Sequence, residues 1–216
     1  MRLAVPLHYS GENMTPDRRH VGETGASERR ERSRKMSLRV DLNLKSLVRT
    51  IPDYPKPGIM FRDITTLLKD ASGFKACVER LIEPYRAAGV EAVVAIEARG
   101  FILGGAVADR LGTGFVPLRK RGKLPAKTLG QEYDLEYGTD IIEVHQDAIR
   151  EGERILIVDD LIATGGTAEA GAKLVRRVGG VVVGAAFIID LPELGGAARL
   201  EAQGIPCHTL IAFEGH

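Results

Sequence analysis

Short apolar runs alternate with amphipathic patterns along the chain from residue 38 onward. The runs are almost continuously apolar, which is typical of strands in a parallel sheet that is covered on both faces. They predict strands at residues 92–96, 114–118, 154–160, 181–191 and 207–213. Residues 139–145 alternate between apolar and polar side chains, and this pattern predicts a further strand.

Between these runs the apolar positions follow the period of a helix. Residues 74–85 place their apolar side chains on one helical face, with Ser72 as the predicted N-cap and Gly89 as the predicted C-terminal residue. Further helices are predicted at residues 101–112, 167–180 and about 194–202. Strands that alternate with helices are typical of βαβ units, so we predict an α/β fold with a mainly parallel sheet flanked by helices.

The N-terminal segment differs from the rest of the chain. Residues 1–36 are polar and show neither a helical nor a strand period, so we expect a disordered N-terminal extension. The globular domain is then predicted at residues 37–216. Two alternatives stay open: Met36 is the true first residue, or the basic stretch 29–35 is a functional tail, although Glu31 dilutes its charge.

Charge and cysteine content narrow the function classes. The formal net charge is +1, which gives no support to a nucleic-acid partner. No apolar run approaches the roughly 18–20 residues of a membrane span, so a membrane partner is not expected either. The N-terminus lacks the apolar core of a secretory signal. Cys77 and Cys207 are far apart and outside any CxxC pair, which fits a reducing, cytoplasmic location.

The string "ILIVDDLIATGGT" at residues 155–167 carries the candidate chemistry. Asp159 and Asp160 stand at the end of a predicted buried strand, where parallel sheets bind ligands. The glycines that follow let the main chain turn its N–H groups inward ahead of a helix, which makes a phosphate site. The carboxylates would repel that phosphate unless a ribose lay between them, so the string predicts a sugar-phosphate site. The alternative is a solvated strand end whose aspartates cap the helix.

The same string resembles the phosphoribosyl-pyrophosphate (PRPP) motif of the type I phosphoribosyltransferase family. Further segments resemble those members of the family that act on adenine, in the same order and spacing, and the resemblance covers residues 40–213. These segments lie at residues 51–70, 97–112 and 118–138.

The resemblance implies a reaction and a set of ligands. The chain would transfer the 5-phosphoribosyl group from PRPP to adenine, which yields AMP and pyrophosphate and serves purine salvage. Mg²⁺ would bind together with PRPP or pyrophosphate. The fold would carry a small N-terminal hood for the base and a mobile lid loop, and the protein would be a homodimer.

The resemblance also assigns roles to residues of the PRPP site. Asp159 and Asp160 would hold the ribose hydroxyls, and Arg99 would meet the pyrophosphate. A cis peptide bond is implied at Glu97–Ala98, where the family commonly has serine in place of this alanine. The 5′-phosphate would be held by Ala163, Thr164, Gly165, Gly166 and Thr167.

Lid and base-pocket residues are assigned in the same way. Residues 118–138 would form the lid, from which Lys120 and Lys123 contact pyrophosphate and Glu136 exchanges a proton with purine N7. A merely solvated basic loop is the alternative. The base would stack on Phe61 opposite Leu161, while main-chain groups of Met60 and Arg62 read the adenine edge. Phe61 could equally be a core residue.

Two other functions stay open at this point. One is a phosphoribosyltransferase for hypoxanthine, guanine or xanthine, against which the segments "PGIMFRD" and "LEYG" favour adenine. The other is a non-catalytic regulator that senses PRPP or nucleotides. Such a regulator would be expected to carry a nucleic-acid-binding element or to have lost lid residues.

Overall fold

The described strands form one seven-stranded sheet and one small antiparallel pair. The computed structural model describes residues 42–135 and 138–215. The large sheet has the strand order β5-β6-β4-β3-β7-β8-β9, and β1 and β2 form a separate antiparallel pair. The strands are β1 (Arg49–Ile51), β2 (Phe61–Asp63), β3 (Ala92–Ile96), β4 (Gly114–Lys120), β5 (Thr128–Leu135), β6 (Gly138–His145), β7 (Arg154–Ile162), β8 (Val181–Asp190) and β9 (Cys207–Ala212).

Helices connect the parallel strands. They are α1 (Thr65–Lys69), α2 (Ala71–Ile82), α3 (Arg99–Leu111), α4 (Gly166–Arg177) and α5 (Gly196–Glu201), with short 3₁₀ turns at Leu44–Leu47, Glu83–Tyr85 and Pro192–Leu194. The neighbouring pairs β3–β4, β3–β7, β7–β8 and β8–β9 are parallel. Among the described strands of the large sheet, the pairs β4–β6 and β5–β6 are antiparallel, so that β6 runs against its two neighbours. The α/β fold with a mainly parallel sheet is therefore confirmed.

The sheet is covered on both faces, which explains its uninterrupted apolar runs. Val93 and Ala95 of β3 belong to a core cluster that also holds the buried residues of α2 and α3. Val94 and Ile96 of the same strand point the other way, into a cluster with the buried residues of α4 and α5. Alternate residues of one strand thus enter two different cores, as the side-chain period of a strand requires.

The first long helix begins earlier and ends earlier than its pattern predicts. The prediction of Ser72 as N-cap was wrong, because the Asp70 carboxylate accepts the N–H of Gly73 at 2.7 Å and α2 begins at Ala71. The helix ends at Ile82 because Pro84 has no N–H to donate to the preceding turn. Gly89 lies beyond a further 3₁₀ turn and has the left-handed φ of 63°.

The segment expected as a lid loop is largely a strand. Its second half forms β5, which pairs antiparallel with β6 from Thr128↔His145 to Leu135↔Gly138. β6 in turn pairs with the end of β4, so the hairpin extends the main sheet. Cross-strand pairs such as Leu129↔Val144 supply the apolar contacts that a free loop lacks. Among the residues described, no helix combines the length and the apolar character that crossing a bilayer demands.

Candidate active site

The turn after β7 presents main-chain donors at the start of α4. Gly165 precedes the helix in the left-handed region, at φ 79°, and no side chain caps the helix. Across residues 42–135 and 138–215, no hydrogen bond to a protein acceptor uses the N–H groups of residues 164–167. These N–H groups lie at the positive end of the helix dipole, so the turn can bind a phosphate.

Two carboxylates stand immediately before this turn. Asp159 accepts the main-chain N–H of Asp160 at 2.8 Å through Oδ1, and Asp160 is only 5% exposed. Burial raises the pKa of Asp159 well above its usual range, and the charge of Asp160 adds to this rise, whereas Arg99 opposes it. The pair therefore concentrates negative charge in a place where a group with hydroxyl donors would stabilise it.

Arg99 connects the carboxylates to the predicted hood, the segment 49–63 that contains β1 and β2. It begins α3 directly after the Glu97–Ala98 peptide, which is cis, and this confirms the expected isomer. Its Nε donates to Oδ2 of Asp160 at 2.5 Å, and its guanidinium lies 5.4 Å from the ring centre of Phe61. In the structure the side chain thus neutralises Asp160, whereas the resemblance implies a contact with pyrophosphate.

One cavity is lined by most of the residues predicted to bind PRPP. It has a volume of about 430 Å³, which lies within the usual range of ligand pockets. The predicted site residues that line it are Arg99, Asp159, Asp160, Leu161, Ala163, Thr164, Gly165, Gly166 and Thr167. Met60, Phe61, Arg62, Lys120 and Lys123 do not line it, and Glu136 lies outside the described residues. The structure brings the first group together, while their roles stay predictions.

Three of the predicted base-binding residues, Met60, Phe61 and Arg62, lie in the hood, which is formed by β1, β2 and the turn between them, whereas Leu161 lies on β7. Phe61 packs edge-on against Tyr54 with ring centres 5.1 Å apart, and Met60 is 37% exposed. The side chain of Arg62 points away from the cavity, because it donates to Thr50 at 2.7 Å and lies 4.3 Å from the ring centre of Phe213. Only the main chain of Arg62 therefore remains to read a base.

Of the two predicted lid lysines, Lys120 is held through its side chain and Lys123 through its main chain. Nζ of Lys120 lies 3.1 Å from the Asp140 carboxylate on β6, and the main-chain N–H of Lys123 donates to the carbonyl of Lys120 at 3.2 Å. Arg119, which was not singled out, pairs with Glu97 at 3.2 Å. Although burial opposes it, this arginine lowers the pKa of Glu97. The basic strand end is thus fixed next to the cis peptide.

Sequence reasoning missed Tyr133, Asp140 and Gly100. Tyr133 lines the cavity and donates from its hydroxyl to Asp140 at 3.3 Å, which joins the hairpin to the Lys120 ion pair. A Cβ atom on Gly100 would lie 2.7 Å from Oδ1 of Asp159, so only glycine lets α3 approach β7 this closely. The alternation of apolar and polar residues around Tyr133 could have identified this residue as part of a strand. The close approach of Gly100 to Asp159 could not have been found in this way, because the two residues are far apart in the chain.

Known proteins are similar to this chain in both sequence and architecture. A family model described as a phosphoribosyl transferase domain matches residues 65–202. An adenine phosphoribosyltransferase from Maricaulis maris is 63% identical over 174 residues, which cover 81% of this chain and 99% of that protein. The crystal structure of adenine phosphoribosyltransferase from Rhodothermus marinus is 54% identical, has a TM-score of 0.75, and the match covers 79% of this chain and 96% of that one.

A third match carries ligands. The crystal structure of adenine phosphoribosyltransferase from Saccharomyces cerevisiae was determined in complex with D-2,5-dideoxy-2,5-imino-altritol 1,6-bisphosphate and adenine. It is 35% identical to this chain with a TM-score of 0.73, and the match covers 78% of this chain and 96% of that one. The matched residues 65–202 of the family model include the turn after β7 and the residues that line the cavity.

Proposed function

Since the chain belongs to the adenine phosphoribosyltransferase family, we propose that it transfers the 5-phosphoribosyl group of PRPP to adenine, forming AMP and pyrophosphate in purine salvage. The observation that carries the proposal is the cavity itself. One wall offers N–H groups of residues 164–167 without protein acceptors among the described residues, and the other offers the carboxylates of Asp159 and Asp160. A ribose 5-phosphate matches both walls with a single molecule.

The phosphate turn would fix one end of the substrate. Main-chain donors at residues 164–167 bind the 5′-phosphate without a lysine, because the helix dipole and aligned N–H groups already favour a dianion. Asp159 and Asp160 then accept hydrogen bonds from the ribose 2′- and 3′-hydroxyls. Held at both ends, the sugar presents C1′ in one orientation, which removes much of the entropic barrier to transfer.

Arg99 would exchange partners when substrate binds. In the structure its Nε is paired with Asp160, and ribose hydroxyls that donate to this carboxylate can take over that role. The guanidinium is then available to the pyrophosphate, whose negative charge grows as the bond to C1′ breaks. Lys120 and Lys123, on the strand end and turn beside the cavity, are the further cations that we assign to the leaving group.

The acidic pair also fits the Mg²⁺ ion that accompanies PRPP in this proposal. The described residues contain no cluster of three or more His, Cys, Asp or Glu side chains that could hold a metal alone. Mg²⁺ usually needs no such cluster, since it binds through one or two carboxylates together with substrate phosphates and water. Asp159 and Asp160 are the carboxylates that would meet it, and the ion supplies charge neutralisation to the pyrophosphate.

The base would enter between the hood and the cavity. Phe61 offers a flat apolar face, and the short distance between its ring and the guanidinium of Arg99 supports a base position next to the cavity. Leu161 lines the cavity and would contact the opposite face of the base. Main-chain groups of Met60 and Arg62 would distinguish a 6-amino from a 6-oxo group. We assign to Glu136 the proton exchange with purine N7 and to the β5–β6 hairpin the exclusion of water.

We also propose a cytoplasmic homodimer. Cys77 and Cys207 are both free thiols, as expected in a reducing compartment. Two large apolar side chains on α3 and β4 are exposed, Ile102 by 51% and Phe115 by 38%. A second subunit that packs against α3 would cover them.

The experiment that tests the proposed function is a competition between purine bases. The purified protein is incubated with PRPP, Mg²⁺ and one of adenine, hypoxanthine, guanine or xanthine, and nucleotide formation is followed. We expect AMP to form with a kcat/KM at least about 100-fold above that of any 6-oxopurine. Preference for a 6-oxopurine would overturn the adenine assignment, and no turnover with any base would support a PRPP-sensing regulator.

A further inference from the structure

The phosphate turn, residues 163–167, contacts a second turn at Gly195 and Gly196, and this second turn does not line the cavity. If Gly165 carried a Cβ atom, that atom would lie 2.9 Å from the carbonyl oxygen and 3.0 Å from Cα of Gly196. In the reverse direction, a Cβ atom on Gly196 would lie 2.3 Å from the carbonyl oxygen of Ala163 and 2.7 Å from the nitrogen of Gly165. Real Cβ atoms do not approach main chain so closely, so neither turn can move toward the other and neither tolerates a methyl group.

A hydrogen bond joins the two turns. The N–H of Gly196 donates to the carbonyl of Ala163 at 3.0 Å, and Gly196 itself is buried. The carbonyl of Ala163 is therefore fixed by Gly196, and since the N–H of a trans peptide points opposite to its carbonyl, the N–H of Thr164 points away from Gly196. The position of the first donor in the turn is set by a residue that lies outside the cavity lining.

Side chains hold the short helix α5 against α4. Glu169, in the first turn of α4, is 9% exposed and pairs with Arg199 of α5 as well as with Lys173 at 2.7 Å. Hydrogen bonding from Lys173, with the charge of Arg199, lowers the pKa of Glu169, so its carboxylate stays charged. Leu200 is fully buried in the core that contains α4. The position of Gly196 is thus determined by α5 as a whole.

We propose that α5 is a positioning element for PRPP: Gly196, anchored by the Arg199–Glu169 ion pair, holds the main chain of residues 163–165 at the spacing that the 5′-phosphate requires. This inference rests on the proposed function. It assigns a role in PRPP affinity to residues that do not touch the substrate. The KM for adenine, which would bind on the hood side, should not change when these residues are substituted.

The test uses Gly196→Ala in the full-length protein. The φ of Gly196 lies outside the left-handed region, so alanine adds only the methyl group and no backbone strain of its own. We expect the KM for PRPP to rise about tenfold or more, because small displacements of positioning groups are costly. The KM for adenine at saturating PRPP should stay within about twofold of the parent value. Ala198→Ser is the matched control, since it adds one heavy atom to an exposed position of the same helix.

A second pair of variants makes the test independent of any folding defect in Gly196→Ala. Arg199→Met removes the cation that pairs with Glu169 and should raise the KM for PRPP, whereas Arg199→Lys should restore most of the affinity. Unchanged KM values for PRPP in both Gly196→Ala and Arg199→Met would overturn the proposal. Equal rises in both substrates' KM values with a lowered Tm would also overturn it, because they indicate a general structural role.

The parent protein separates this proposal from the proposed function. If the parent turns over PRPP and adenine while the variants behave as it does, α5 is not a positioning element and the function stands. If the parent shows no turnover with any purine, the proposed function fails first. Thermal unfolding of each variant, measured in parallel, shows whether the protein is folded in the assay.

Discussion

At the scale of single residues, the carboxylate before the phosphate turn opposes folding at neutral pH. Burial raises the pKa of Asp159 well above its usual range, with a further contribution from the charge of Asp160. A carboxyl whose pKa is raised in the folded state gives full stability below the unfolded pKa of about 3.9 and loses it as the pH rises through the folded pKa. In the proposed function this charge would lie next to the ribose, so the site would weaken the fold in exchange for substrate binding.

Asp159→Asn removes this charge and keeps the oxygen that accepts the Asp160 N–H. We expect a variant with little activity and a Tm that exceeds the parent's at pH 7, by about 2–4 °C for each kcal/mol recovered. The difference in Tm should be small near pH 4 and grow toward neutral pH. Thermal unfolding from pH 4 to 8 measures it, with the exposed Asp147→Asn as control. A Tm difference that does not depend on pH would contradict this account.

A second residue-scale prediction concerns Glu136, to which the family resemblance assigns proton exchange with the purine. Glu136→Gln keeps the shape of the side chain but removes its basic oxygen. We expect kcat to fall by about 10²–10⁴-fold, the usual contribution of a general acid or base, with unchanged PRPP affinity. Steady-state kinetics and equilibrium binding of PRPP test this. Glu132→Gln on β5 is the control, and an unchanged kcat in Glu136→Gln would remove this residue from the mechanism.

At the scale of elements, the carboxylate of Asp63 connects the hood to the start of α1. Asp63 ends β2 and accepts the Thr65 N–H at 2.9 Å and Nε of Arg49 at 3.0 Å. The hydrogen bond from the Thr65 main chain, followed by that from Arg49, lowers the pKa of Asp63 to about 2. A lowered pKa contributes stability above the unfolded value and loses it as the pH falls from about 4 to about 2.

Asp63→Asn should therefore reduce the free energy of unfolding at pH 7. We expect a loss of about 1–2 kcal/mol, which is the size of the pKa shift reduced for the solvent exposure of Arg49. Urea denaturation between pH 3 and pH 7 measures it, and the loss should shrink as the pH falls. The exposed Asp109→Asn on α3 serves as control. Equal losses at pH 3 and pH 7 would show that packing, and not charge, is responsible.

A strand or turn can be predicted from the sequence when the residues that determine it are adjacent in the chain. The five parallel strands were predicted because each is apolar through its own length, and the turn after β7 because its residues are adjacent in the chain. The hairpin strand β5 was missed because glycine and charged residues dilute its alternation, and it forms by pairing with β6. The Gly165–Gly196 contact and the Lys120–Asp140 ion pair join residues far apart in sequence, and no local pattern reveals them.

At the scale of the whole molecule, residues 42–135 and 138–215 already build an apolar core of their own. Leu44, only 2% exposed, is already part of the main apolar cluster. A chain that begins at Met36 should therefore keep kcat/KM within about twofold of the full-length value. Activity and Tm of both proteins test this. A loss of more than about tenfold would favour the functional basic tail, and replacing the arginines of residues 29–35 by serine would then reproduce it.

An exposed apolar side chain on α3 predicts an interface with a second subunit. Ile102 on α3 is 51% exposed, and a large apolar side chain at that exposure favours a partner surface. If α3 packs against a second subunit, Ile102→Glu places an unpaired charge in the interface, at a cost of several kcal/mol. We expect the parent to be a dimer at micromolar concentration and Ile102→Glu to be largely monomeric, as measured by light scattering after gel filtration.

Val181→Glu at the start of β8, where the valine is 46% exposed, is the control and should leave the dimer intact. A monomeric parent would refute the homodimer, and a dimeric Ile102→Glu would place the interface away from α3.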